Sequence, residues 1–275
     1  MCSSDLAVTT ACFTASSLVA VEPLIQAHAH NDYEHPRPLF DALAQGFCSV
    51  EADIHWVEDK LLVAHDRKDV KPERTLQALY LEPLRARVRE NGGRVFPGGP
   101  GFTLLIDVKG NAAQTARALQ VVLKEYADVL TEFRDGRVRT NAILVVVTGD
   151  QDRAVLLAEP VRLLTLDGKL PDLDGPAPSD VIPWISDYWF GTFKWRGVGP
   201  MPADERKKLK AIADRAHAQG RRLRFWGGPD LPAVWAELRS AGVDLINTDR
   251  LADLQQFLQS APPASRGADA QKPAA

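Results

Sequence analysis

Glu51 and Asp53 stand two residues apart in the stretch SVEADIHW, the spacing that sends two strand side chains to the same face. Two carboxylates held close in a half-buried site repel each other unless a cation compensates, and Asp107, at the end of TLLID, offers a third oxygen donor. An all-oxygen set favours magnesium, calcium or manganese over zinc, and one divalent cation, Mg2+ or Ca2+, is the expected cofactor. His30 and His65 add two imidazoles that titrate near neutrality. One can deprotonate an attacking hydroxyl while the other protonates a leaving oxygen, which is what phosphodiester cleavage needs alongside a cation. The bland alternative is a structural network in which Glu51 and Asp53 pair with Lys109 and an arginine. His35 in a Pro-rich turn, His55 two positions beyond Asp53, and His217 on a predicted surface helix have weaker claims.

These residues are embedded in a regular alternation of apolar, β-branched runs with amphipathic segments, the pattern of parallel strands joined by helices. Eight strands are expected at 24–29, 49–54, 103–108, 142–148, 161–166, 181–186, 222–226 and 244–247. Helices are expected at 38–45, 75–90, 112–130, 152–159, 203–219, 232–241 and 251–259. Gly46, Gly220 and Gly242 come directly after three of them, where a left-handed C-terminal residue helps. Residues 167–180, rich in Asp, Pro and Gly, hold a short helix or none. With no glycine-rich phosphate loop after the first strand, the pattern indicates a closed (β/α)8 TIM barrel rather than an open doubly wound sheet. Barrel active sites lie at the C-terminal strand ends, and that is where His28, His30, Asn31, Glu51, Asp53, Asp107, Lys109, Thr148, Asp150, Ser186, Asp187, Trp226, Asn247 and Asp249 fall.

The chain of 275 residues, 45% hydrophobic and 25% charged, can bury one large core, and the barrel is assigned to 21–260. A net charge of −3 gives no basic field, so nucleic acid is not an expected partner. Cys2, Cys12 and Cys48 match neither a metal knuckle nor a disulfide framework. Residues 1–20 read as a truncated export signal without its positive start, which implies a periplasmic or secreted protein; otherwise the protein is cytoplasmic. Residues 1–6 look foreign to the rest of the chain, 261–275 read as a disordered tail, and no segment has the apolar length of an integral membrane span.

The segments HNDY, PLFDAL, VEADIHW, LLVAHD, RTLQALYLEPL and LLIDVKG resemble the fungal "altered inheritance of mitochondria" family and its bacterial relatives, within the phosphatidylinositol phospholipase C-like phosphodiesterase superfamily. That resemblance implies a phospholipase C-like TIM barrel hydrolysing a small-molecule or lipid phosphodiester. It implies catalytic histidines at His30 and His65, metal ligands at Glu51, Asp53 and Asp107 with Asn31 as a fourth, and Lys109 on the phosphate. It also places a substrate-packing aromatic at Trp226; a tryptophan filling the barrel mouth is the structural alternative. Glycerophosphodiesterases carry His-Arg-Gly and then Glu-Asn at strand one, where this chain has His-Asn-Asp-Tyr, so glycerophosphodiester specificity is not implied. The aromatic stretch from Tyr188 to Trp195, YWFGTFKW, could cover the site, make peripheral membrane contact, or pack on the rim. Two rivals remain: an amidohydrolase-type metal hydrolase opened by His28-x-His30 with Asp249, and a barrel that binds without catalysing.

Overall fold

The computed structural model describes residues 21–260, so the export-signal and tail readings lie outside the described residues. Twelve strands form within them: β1 (Ala27–Ala29), β2 (Ser49–Val57), β3 (Lys60–Val63), β4 (Phe102–Val108), β5 (Glu132–Arg134), β6 (Arg137–Arg139), β7 (Ile143–Gly149), β8 (Val161–Arg162), β9 (Thr165–Gly168), β10 (Trp184–Tyr188), β11 (Arg222–Trp226) and β12 (Ile246–Thr248). Eight of these pair in parallel in the order β12-β1-β2-β4-β7-β9-β10-β11. A further bridge between Arg224 and Leu245 brings the two ends of the sheet together into a nearly closed barrel.

Strand alternation separates two chemistries. Val50, Ala52 and Ile54 on β2, with Leu104, Ile106 and Val108 on β4, pack outward into the main apolar core, while Glu51, Asp53 and Asp107 take the alternate positions. Lower in the lumen, Leu105, Val146, Trp184 and Leu245 form a separate dry plug. Each such buried side chain stabilises the fold by about 1.5–3 kcal/mol. The plug closes the barrel floor, so polar groups above it face one mouth.

The outer layer holds α1 (Phe40–Ala44), α2 (Glu82–Glu90), α3 (Ala112–Lys124), α4 (Arg153–Leu156), α5 (Trp189–Thr192), α6 (Ala203–Ala218), α7 (Pro232–Ala241) and α8 (Leu251–Ser260). On α3 the buried Ala116, Leu119 and Leu123 recur at helical spacing and form its core face. The expected helix over 75–90 begins as a wider turn at Gln77–Leu81, with Glu82 donating to the carbonyl of Gln77, before α2 takes over. Pro83, which has no N–H to give, sits where a regular helical bond would fall.

Several strand boundaries differ from the sequence pattern, the first strand beginning at Ala27 rather than 24. The run at 161–166 splits: β8 leaves the barrel to join β5 and β6 in a small antiparallel sheet, and the fifth barrel strand is β9. That shift carries Asp167 into the lumen. The sixth strand starts at Trp184 rather than 181, because Pro183 cannot donate to a ladder. The eighth starts at Ile246 rather than 244, since the carboxylate of Asp244 turns aside to accept from the backbone N–H of Leu223 at 2.9 Å. Residues 167–180 hold only a short 3-10 turn at Leu170–Asp174.

Candidate active site

The hairpin from β2 to β3 explains how two distant histidines meet. Glu58 and Asp59 both take positive φ, 48° and 60°, the geometry of a tight two-residue turn that matches strand twist. The chain then runs back antiparallel to β2, and the Ala64 N–H donates to the Asp53 carbonyl at 3.3 Å, which leaves His65 beside the Asp53 side chain. His55, a weaker candidate in the sequence, lies buried beneath this turn and contacts the His65 carbonyl through Nε2 at 3.2 Å.

On the other side, β1 delivers His28 and His30. His28 is fully buried, with Nδ1 2.7 Å from the Ser49 hydroxyl and Nε2 3.1 Å from Glu51 Oε2. Burial, with help from Arg224, pulls its pKa down to about 3, so the ring is neutral and both nitrogens serve hydrogen bonds. His30 Nδ1 lies 2.8 Å from Asp249 Oδ1. An ionised carboxylate only accepts, so Nδ1 carries the proton and Nε2 keeps its lone pair. Burial lowers the His30 pKa, but the Asp249 bond and the charges of Glu51 and Asp249 outweigh it and raise it overall. His28 and His30 are therefore engaged separately and do not form the joint metal site of an amidohydrolase.

Glu51, Asp53 and Asp107 each present a ligand atom within 4.8 Å of the others, the one such cluster among the described residues. Each is held from one side. Glu51 Oε2 accepts from Arg224 Nη2 at 2.8 Å, and although burial raises its pKa, Arg224 and His28 bring it well below the usual carboxylate range. Lys109 Nζ bridges Asp53 Oδ2 at 3.0 Å and Asp107 Oδ2 at 2.8 Å. The structural network weighed from sequence is thus present, with Arg224 as its arginine. It is incomplete: Asp53 Oδ1 and Asp107 Oδ1 are buried without a hydrogen-bond partner. Burial and the neighbouring Asp107 push Asp53 up to about 6. Unpartnered oxygens on mutually repelling carboxylates fit a hard divalent cation.

Gly149, at the end of β7, guards that space. Its φ is +75°, and a Cβ there would stand 2.0 Å from Asp107 Oδ1.

The His-Asn-Asp-Tyr loop is anchored by its own side chains. Asp32 is buried and accepts from the Leu39 N–H at 2.6 Å and the Tyr80 hydroxyl at 2.8 Å, anchoring the loop over the mouth. Asn31 takes a left-handed conformation, φ 47°, and lines the cleft. The Tyr33 hydroxyl reaches Asp53 Oδ2 at 2.7 Å, Asn31 Oδ1 at 2.8 Å and His65 Nδ1 at 3.1 Å, so one phenol ties a candidate ligand, its neighbour and an imidazole together.

These groups open into a cleft of about 400 Å³ lined by His30, Asn31, Glu51, His65, Asp107, Lys109, Asp167, Lys169, Arg224 and Trp226, among others. Trp226 stands at its lip, 37% exposed, against Tyr188 at 4.8 Å between ring centres. The aromatic stretch beyond Tyr188 mostly packs on the rim: Trp189, Phe193 and Trp195 are buried, the first two against Phe225. No helix among the described residues is long and apolar enough to cross a membrane. Sequence reading missed Tyr33, Asp167, Lys169 and Arg224. It placed Asp249 at the end of the last strand and weighed it only as a metal ligand of the amidohydrolase alternative, although an acidic residue there was the available signal for a histidine partner.

Comparison with known proteins decides the family. The AIM6-like phosphodiesterase domain matches residues 17–162. The chain belongs to that family. A second match, to the glycerophosphoryl diester phosphodiesterase family, covers residues 222–252. Among curated relatives, Altered inheritance of mitochondria protein 6 of Eremothecium gossypii is 29% identical, over 86% of this chain and 70% of its own. A homolog from Arthroderma benhamiae is 28% identical, over 82% and 81% respectively. The crystal structure of a glycerophosphodiester phosphodiesterase from Agrobacterium tumefaciens superposes with a TM-score of 0.54 at 16% identity, over 86% of this chain and all of that one, and establishes the shared barrel fold. The chain thus carries an AIM6-like phosphodiesterase domain, and the carboxylate cluster and cleft described above lie at the mouth of its barrel, where barrel active sites sit.

Proposed function

We propose that this barrel is a metal-dependent phosphodiesterase cleaving a small-molecule or lipid-headgroup phosphodiester by two-histidine acid–base catalysis. The observation that carries the reading is the convergence of three carboxylate ligand atoms within 4.8 Å on a cleft that both His30 and His65 line. Glu51, Asp53 and Asp107 would hold the cation, with Asn31 beside them, and a bound Mg2+ or Ca2+ would neutralise charge on the nonbridging oxygens.

The protein's own groups do the rest. His30, its Nδ1 proton committed to Asp249, turns a basic Nε2 to the cleft and takes the proton from an attacking water or substrate hydroxyl. As the new P–O bond forms and the old one breaks, His65 gives a proton to the departing oxygen. Its Nδ1 lies 3.1 Å from the Tyr33 hydroxyl and 3.3 Å from Asp53 Oδ2, contacts that orient the ring toward the cleft. Attack by an internal hydroxyl yields a cyclic phosphate and attack by water the monoester. Lys109, between Asp53 and Asp107, places a further positive charge at the phosphate position.

Product release from a panel of lysophospholipids and glycerophosphodiesters, with and without Mg2+ or Ca2+, tests the reading in wild type and His30→Ala. Cation-dependent turnover that disappears in the variant supports it. One observation favours the rival of a binding barrel: Lys109 and Arg224 already neutralise much of the cluster. Absence of turnover on the whole panel, with no heat of cation binding in calorimetry, would establish that rival.

A further inference from the structure

Tyr33 has no part in the catalytic assignment above, yet its hydroxyl touches both the carboxylate cluster and one histidine of the acid–base pair. The residue is buried, 2% exposed, and its backbone is held on two sides. Asp32 beside it accepts from Leu39 and Tyr80, and Arg74 Nη2 donates to the Tyr33 carbonyl at 2.6 Å. The phenol is therefore a fixed group, and it faces a loose one. The His65 side chain is 60% exposed, so packing does not set the angle of its ring. His55 Nε2 donates to the His65 carbonyl at 3.2 Å and steadies the backbone, which leaves the imidazole to its contacts at Nδ1. Those contacts are the Tyr33 hydroxyl at 3.1 Å and, longer, Asp53 Oδ2 at 3.3 Å.

Proton counting gives the direction of the shorter contact. A phenol carries one proton, and its oxygen also accepts. Two oxygens compete for the Tyr33 proton, Asp53 Oδ2 at 2.7 Å and Asn31 Oδ1 at 2.8 Å. None is left for His65, so the hydrogen between the two side chains comes from Nδ1. Asp53 Oδ2 is the poorer acceptor for it, because Tyr33 and Lys109 Nζ, at 3.0 Å, already engage that oxygen.

We propose that Tyr33 is the positioning residue of the general acid: its oxygen holds the His65 Nδ1–H and so leaves Nε2 to serve the departing oxygen. The inference rests on the phosphodiesterase reading and adds to it the group that decides which nitrogen of His65 reacts. In that step Nε2–H gives its proton to the leaving oxygen as the P–O bond breaks and its electron pair stays on that oxygen. The ring is left neutral, its Nδ1–H still donating to Tyr33. His30 is held in the same sense, Nδ1 to Asp249, so each imidazole of the pair offers Nε2 to the cleft that both rings line. Without the phenol oxygen the exposed ring is free to turn or to exchange its tautomer, and a small misplacement of a reacting group is costly.

The test varies only the leaving group: glycerol phosphate esterified to p-nitrophenol, phenol or ethanol, assayed with Mg2+ and with Ca2+ in wild type, Tyr33→Phe and Tyr80→Phe. p-Nitrophenolate departs with little help from an acid and ethoxide needs a proton, so a fault in the acid shows as a split between them. Tyr33→Phe, which keeps the ring and loses the hydroxyl, is expected to lower kcat on the ethyl ester by about tenfold, as loss of one hydrogen bond does, and on the p-nitrophenyl ester by less than about twofold. Tyr80→Phe weakens the loop anchor but keeps the Tyr33 phenol, and any loss it causes should be equal across the series. An equal fall on all three esters in Tyr33→Phe overturns the proposal. Long-range 1H–15N spectra of the imidazoles, with His65 assigned from His65→Gln and read where the ring is neutral, need no turnover. Wild-type His65 should carry its proton on Nδ1, and Tyr33→Phe should lose that preference. If no diester is cleaved but this tautomer is present and depends on Tyr33, the phosphodiesterase reading fails while the hold of Tyr33 on His65 stands. A wild-type His65 protonated on Nε2, or a tautomer unchanged in Tyr33→Phe, overturns that hold.

Discussion

The two walls of the barrel mouth differ in how their polar groups are satisfied, although each holds buried oxygens without a partner. On the β2–β4 wall, each carboxylate is gripped by a cation from this chain and carries a short-range signature: Glu51 and Asp53 two apart, Asp107 and Lys109 two apart. On the β9–β11 wall, Asp167, Ser186 and Arg224 Nη1 are buried with no partner, and each comes from a different strand. The first wall concentrates charge, and the second leaves buried polar atoms from three strands without a partner. Arg224 belongs to both, since it holds Glu51 with one nitrogen and turns another toward the second wall.

The largest effects should come from the first wall. His30→Ala and His65→Ala are each expected to slow phosphodiester turnover by roughly 100- to 10,000-fold, the span of general acid–base catalysis, with little change in melting temperature. Asp53→Asn should abolish calorimetric cation binding, since it removes a charged ligand from a three-carboxylate set. Retained binding in that variant would mean that Asp53 is not a ligand, and absence of binding in wild type would mean that the cluster is a structural ion-pair network.

Arg224→Met separates the walls by a different measure. Both members of the Arg224–Glu51 pair are nearly sequestered, with side chains 4% and 5% exposed. Removing one partner leaves an uncompensated buried charge, so denaturant unfolding should show a loss of about 3–5 kcal/mol. The double variant Arg224→Met with Glu51→Gln should recover part of it. If the single variant is as stable as wild type, Glu51 has found other compensation, and the coupling between the walls is not through Arg224.

How far the site was legible in the sequence divides along the same line. The barrel and the first wall could be read because strand period, helix period and the Glu-x-Asp spacing are local. His65 could be read because a two-residue turn, Glu58–Asp59, returns the chain at once. The second wall could not. Asp167 enters the lumen only because the run at 161–166 splits into an edge strand and a barrel strand, and VRLLTL contains no residue that marks the break. Arg224 sits two residues before Trp226 on a strand that was expected, yet its partner Glu51 lies 173 residues away. Tyr33 was overlooked for a subtler reason: a tyrosine in a loop reads as packing, and only the anchoring of Asp32 by Leu39 and Tyr80 turns its hydroxyl onto Asp53.

Asp249→Asn should have a smaller effect than loss of either histidine, and it tests how much of the first wall depends on orientation alone. A carboxylate behind a catalytic imidazole fixes its tautomer and steadies the charge it gains. Here that carboxylate is 59% exposed, so solvent screens it, and its replacement should slow turnover by about ten- to a hundredfold, far less than for a buried partner. Its position is well defined: the Asp230 carboxylate accepts from the Thr248 hydroxyl at 2.8 Å and from the Asp249 N–H at 3.2 Å, which fixes the end of β12 against His30. Asp249 is one of the groups that raise the His30 pKa, so the variant should lower it. A general base must be deprotonated to act, so the acid-side limb of the kcat/KM profile should move to lower pH. A pH profile that keeps its wild-type midpoint, with full activity, would show that His30 is oriented by its strand and not by Asp249.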